Sequence, residues 1–62
     1  MSEHDIVEAM IRYGGGFVSD LGRLYLRADA VNRQKLRDAF ADYWAQYAEI
    51  AEHHARKAGL IA

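Results

Sequence analysis

The sequence has no cysteine, no proline and no threonine, and its only serines are Ser2 and Ser19. Without cysteine there can be no disulfide framework and no thiolate metal site. The absence also suits a reducing compartment. Without proline, the punctuation of the chain falls to its five glycines. β-branched residues are scattered (Ile6, Val7, Ile11, Val18, Val31, Ile50 and Ile61), and no segment alternates with period two, so strands are not expected. No apolar run is long enough to span a bilayer, and the start lacks the pattern of a leader peptide. The expectation is a soluble cytoplasmic protein with no membrane partner.

What the chain does have is helix-forming material. Ala, Leu, Arg and Glu are plentiful, and Gln34 and Gln46 add to them. The fold class expected is all-α, a small helical hairpin or bundle forming a single domain over residues 1–62. A domain of 62 residues buries only about 60% of its unfolded surface. Folds this small usually add a staple. With disulfides excluded, oligomerisation is the staple expected here, which predicts a homo-oligomer, most simply a homodimer. Net charge is −1, with acids and bases mixed in both halves of the chain, so neither half is a basic or acidic tail.

A first helix is predicted from Ser2. The stretch Ser2-Glu3-His4-Asp5 has the form of a capping box, with Ser2 at the N-cap and Asp5 at N3. Ile6, Val7, Met10 and Ile11 form its apolar stripe, and Glu8 and Arg12 pair at i, i+4. The glycines Gly14, Gly15 and Gly16 then break or bend the helix, since each costs about 1 kcal/mol there relative to alanine. A second helix is expected from near Gly16 to about Ala28, with Phe17, Val18, Leu21, Leu24, Tyr25 and Ala28 on its buried face. Leu26 points nearly opposite, and Gly22 in mid-helix hints at close approach by another helix. Asp29 is a candidate N-cap for a third helix.

From Ala30 to Ala58 there is neither proline nor glycine, and Gly59 supplies a stop. Leu36, Phe40, Tyr43, Tyr47, Ile50 and His54 repeat at spacings of 4, 3, 4, 3 and 4, an a/d heptad pattern. Trp44, Ala48, Ala51, Ala55 and Ala58 widen one flank. A single helix of about 29 residues would be ~43 Å long. Two short N-terminal helices packed on this long C-terminal one is the architecture expected. Either they lie along it, or it kinks near Ala39–Asp42 and folds back. In both geometries aromatic surface remains for a second chain. Phe40, Tyr43, Trp44 and Tyr47 lie on one helical face and read first as core; Leu26, Phe40, Tyr43, Trp44, Tyr47 and His54 are the residues expected at a partner or oligomer interface, and the two readings coincide if the core is shared between subunits.

Chemistry-bearing motifs are sparse. Tyr13-Gly14-Gly15-Gly16-Phe17 lacks the preceding strand and the lysine of a phosphate loop, so it reads as a corner between helices. Arg23, Arg27, Arg33, Lys35 and Arg37 cluster around the expected turn and form a possible nucleic-acid patch. Asp20, Asp29 and Asp38 are interspersed, which favours a solvated polar surface instead. His53 and His54 are adjacent and diverge by about 100° on a helix of ordinary pitch, so they do not chelate one ion from a single helix. No nucleophile, base and orienting group come together in the sequence, so no enzyme, cofactor or metal is expected.

The spaced residues Gly14-Gly15-Gly16-Phe17-Val18 with Leu21, Ala28-Asp29 with Asn32, Leu36, Ala39-Phe40 and Tyr43-Trp44 give the chain a resemblance. It resembles short uncharacterised proteins encoded by bacteriophages and prophages of proteobacteria. The resemblance covers about half the chain and implies phage origin, but no activity. Small phage proteins in general often act by binding one host protein, including defence systems. The resulting expectation is a small non-enzymatic interaction protein, acting on a host protein or defence complex as an inhibitor. A nucleic-acid-binding helical dimer and a structural subunit of a phage assembly are the alternatives.

Overall fold

The computed structural model describes residues 2–57 and is all-α. Its elements are α1 (Glu3–Tyr13), α2 (Gly15–Arg27), α3 (Ala30–Ala39) and α4 (Ala41–Lys57). The expected stop at Gly59, like Ala58 on the apolar flank, lies outside the described residues.

The start of α1 is a reciprocal capping box. The Ser2 hydroxyl accepts from the Asp5 amide at 3.2 Å, and the Asp5 carboxylate accepts from the Ser2 amide at 3.2 Å and from its hydroxyl at 2.9 Å. These bonds, the side-chain one first, hold the Asp5 carboxyl below the usual carboxylate range. Glu8 and Arg12 pair on the exposed face at 3.4 Å. The helix ends at Gly14, whose amide donates to the Met10 carbonyl at 2.9 Å.

The triple glycine is a corner, and its three residues differ. Gly15 holds φ at +69°, the left-handed region that opens α2. At Gly14 a Cβ would stand 2.3 Å from the Met10 carbonyl oxygen and 2.7 Å from the Val18 Cβ, so only glycine fits. A Cβ on Gly16 would meet nothing within 4 Å among the described residues, so this position carries no such demand.

The corner lays α2 back along α1. Ser19 is buried and donates to the Ile11 carbonyl at 2.9 Å, while Gly22 meets Val7, Met10 and Ile11. A Cβ on Gly22 would come within 2.9 Å of the Ile11 Cγ1 and 3.3 Å of the Val7 carbonyl oxygen. The close approach hinted at by this mid-helix glycine is therefore a contact within one chain. Val7, Ala9 and Met10 from α1 and Val18, Leu21 and Tyr25 from α2 form one core with Trp44, Tyr47 and Ala51 from α4.

The single long helix expected from Ala30 onward is instead two helices. They break at Phe40, inside the window Ala39–Asp42 where a kink was the second geometry. Phe40 has φ −122° and ψ 36°, although no glycine or proline stands near it. A straight helix over Ala30–Lys57 would be about 42 Å long, longer than the 34 Å long axis of the fold. The break also resets the apolar register. The buried stripe of α4 is Trp44, Tyr47 and Ala51, with Tyr43 and Ile50 only half-buried. The expected seam through Tyr43, Tyr47 and Ile50 is thus shifted toward the alanine flank.

Asp29 caps α3 as expected, accepting from the Asn32 amide at 2.8 Å. The helix itself buries no residue fully. Its links to the rest are half-buried Leu36 and two arginines, Arg33 and Arg37.

The glycines yield an ordered series measurable by urea denaturation. Gly14→Ala is expected to lose about 2–3 kcal/mol through overpacking, and Gly15→Ala about 1–2 kcal/mol through its left-handed backbone. Gly22→Ala should lose about 1 kcal/mol net, because crowding against Ile11 outweighs the gain in helix propensity. Gly16→Ala should gain about 0.5 kcal/mol. A flat series would show that the corner is incidental to packing.

Candidate interaction surface

Helix α2 carries a wider apolar arc than its own chain covers. Val18, Leu21 and Tyr25 turn inward, but Phe17 and Leu24, expected on the same buried face, stand on its flank. Phe17 is 60% exposed and Leu24 is 53% exposed. They are two helical turns apart, so they share a side of α2. The Phe17 ring lies 5.8 Å from Phe40 in an edge-on arrangement and 5.9 Å from Tyr43, with Phe40 and Tyr43 themselves 6.2 Å apart. Phe40 and Tyr43 are half-buried. The result is an aromatic surface where the beginnings of α2 and α4 meet.

The expected interface residues divide. Leu26 is 46% exposed on the opposite flank of α2, with Val31 at the start of α3 66% exposed. His54 stacks flat on Tyr13, centroids 4.4 Å apart and planes at 7°, bracing the ends of α1 and α4. Trp44 and Tyr47, in contrast, are buried in the intrachain core, and Trp44 packs 5.1 Å from Tyr25. Of the two readings of the aromatic cluster, core and interface, these two side chains follow the first within the single chain. The cause is the shifted register of α4, which turns these two side chains onto α1 and α2. Periodicity missed Phe17 and Leu24 as surface, since they belong to the apolar arc; only their position at its edge marked them.

The basic cluster is largely committed within the chain. The Arg33 Nε donates to the Tyr25 carbonyl at 3.0 Å and its Nη2 to the Leu26 carbonyl at 3.2 Å. Its guanidinium also lies 5.1 Å from the centre of the Tyr25 ring. It thereby caps the C-terminus of α2, where carbonyls lack helical partners. Arg37 bridges α3 to α1 through Glu3 at 2.9 Å and also holds Gln34 at 2.7 Å. Arg23 pairs with Asp20 and donates to the Ser19 hydroxyl at 2.9 Å, joining the link to Ile11. Among the described residues, Arg27 and Lys35 make neither an ion pair nor a side-chain hydrogen bond.

Two buried polar atoms in the core, the Tyr25 hydroxyl and the Trp44 Nε1, have no hydrogen-bond partner in the protein among the described residues. No three His, Asp or Glu side chains converge there as metal ligands, although the His53 and His54 rings lie 5.7 Å apart. An open depression on α4 is lined by Glu49, Glu52, His53 and Arg56, with Arg56 paired to Glu52. No helix among the described residues is long and apolar enough to cross a membrane.

Arg33→Ala should lower stability by about 1–2 kcal/mol in urea denaturation, because two carbonyl bonds and a ring contact disappear together. Lys35→Ala should stay within about 0.5 kcal/mol of the parent. Equal effects would show that Arg33 is a surface base like its neighbour.

No protein-family model matches the sequence, and no curated protein or solved structure is significantly similar to it.

Proposed function

We propose that the chain is a small non-enzymatic interaction protein, encoded by a phage or prophage, that binds a host protein and inhibits it or the defence complex to which it belongs. The observation that carries this reading is the aromatic surface of Phe17, Phe40 and Tyr43, continued along α2 by Leu24. A hydrophobic ring exposed to 60% on a rigid helix is expensive to leave in water. Aromatic anchors of this kind dominate the binding energy of protein interfaces. Phe17 is held in place by its two aromatic neighbours, so little ordering entropy is lost on binding.

Nucleic acid is supported less. Arg23, Arg33 and Arg37 hold the fold together, which leaves Arg27 and Lys35 as the two bases of the cluster free to contact phosphates. A patch of two charges gives a shallow salt dependence.

Phe17→Asp is the direct test, because Phe17 lies outside the core; since Phe17 also touches Phe40 and Tyr43, circular dichroism and light scattering must first show that the variant keeps the helicity and mass of the parent. The parent, immobilised in a proteobacterial lysate, should retain one stoichiometric protein. The variant should lose it, with a drop in affinity of about 2 kcal/mol or more. Equal recovery by both proteins would remove the aromatic surface from the account.

A further inference from the structure

The break at Phe40 has no local cause. Ala30–Lys57 contains no helix-breaking residue, yet the helix stops at one phenylalanine and restarts at the next position. Among the described residues the amides of Ala41 and Asp42 have no backbone partner, and the Phe40 carbonyl accepts from Tyr43 at 3.0 Å in a tighter turn and from Trp44 at 3.3 Å. Straightening the chain here would restore the missing bonds to the end of α3. What holds the bend is tertiary: the Phe17–Phe40 contact and the packing of α4 against the α1–α2 hairpin.

The two sides of the break are anchored differently. Helix α3 is tied to the hairpin by Arg33 on the end of α2 and by Arg37 on Glu3. Helix α4 meets the hairpin through Trp44 on Tyr25, Tyr43 on Phe17 and His54 on Tyr13. A straight α3–α4 helix keeps the first set and carries α4 away from its own hairpin. The surface it leaves is the one an α4 from an identical chain fits, residue for residue.

We infer that Phe40 is a hinge and that the chain pairs with a second copy of itself by exchanging α4, so that each α4 completes the core of the other copy. The Tyr25–Trp44, Phe17–Tyr43 and Tyr13–His54 contacts form between chains in this dimer. The Phe17–Phe40 contact belongs to the bent monomer alone. Exchange of an identical element reuses the native contacts without requiring a new complementary surface. This inference concerns self-association and stands apart from binding to a host protein.

Because the parent has no cysteine, engineered thiols report the exchange cleanly. Tyr13→Cys and His54→Cys are made in separate chains, one with a mass tag, then mixed, refolded together at high concentration and bridged with a short bismaleimide. The expected major product is the mixed species joining position 13 of one chain to position 54 of the other. Only monomers, or an unbiased set of like and unlike pairs, would overturn the exchange. Light scattering supplies the second arm. Phe40→Ala, which removes the contact specific to the bent form, should raise the dimer fraction several-fold. Ala41→Pro should abolish the dimer: a proline there forfeits no hydrogen bond but forbids a continuous helix. A dimer fraction unmoved by either substitution contradicts the hinge, and if Ala41→Pro fails to fold, the crosslink and Phe40→Ala still decide.

Discussion

The close approach of α1 and α2 is the constraint on which the remaining structure depends. It exists because Gly14 and Gly22 carry no side chain where the two helices touch, and because Gly15 adopts a backbone turn closed to most residues. With the hairpin closed, Val7 and Met10 become fully buried and Ser19 finds its acceptor on Ile11. That hairpin then offers one apolar side to α4, which supplies Trp44, Tyr47 and Ala51. A chain of this size has a small margin of stability, and two short helices held nearly in backbone contact are how it gathers a core without a disulfide.

Local signals were legible in the sequence wherever short-range chemistry decides. The Ser2–Asp5 capping box, the Asp29 cap and the glycine corner depend on residues within a few positions of one another, and they occur where the pattern puts them. The break at Phe40 was not fixed by such a signal. Phe40 is a tolerable helix residue, and only contacts with Phe17, twenty-three positions away in the chain, distinguish it. The register of α4 follows from the same cause: heptad spacing marks an apolar side, but a helix start set by tertiary packing decides which edge turns inward. For the surface, the aromatic cluster Phe40–Tyr47 was visible as a unit, while its division into buried Trp44 and Tyr47 and half-buried Phe40 and Tyr43 required the fold. Arg33 looked like one base in a patch. Its role as a cap on α2 depends on the turn bringing it back to carbonyls eight and seven positions earlier.

The same economy shapes the surface. Polar side chains are spent on joining elements: Arg33 and Arg37 for α3, Ser19 and Arg23 for the hairpin. Apolar side chains at the rim of the core, Phe17 and Leu24 above all, are left outward. A small bundle has more apolar arc than neighbours to cover it, and in the proposed function that surplus is where a partner binds.

The α1–α2 hairpin with α4 is the stable body, and α3, which buries no residue fully, is a peripheral strap. Native-state hydrogen exchange tests this division directly, since amides in weakly packed elements open locally while core amides await global unfolding. The slowest amides should be those of Met10, Leu21, Gly22, Tyr25, Tyr47 and Ala51, with residues 33–39 of α3 exchanging at least ten times faster, a gap of about 1.4 kcal/mol. Protection in α3 equal to that of α1 and α2 would contradict the central claim.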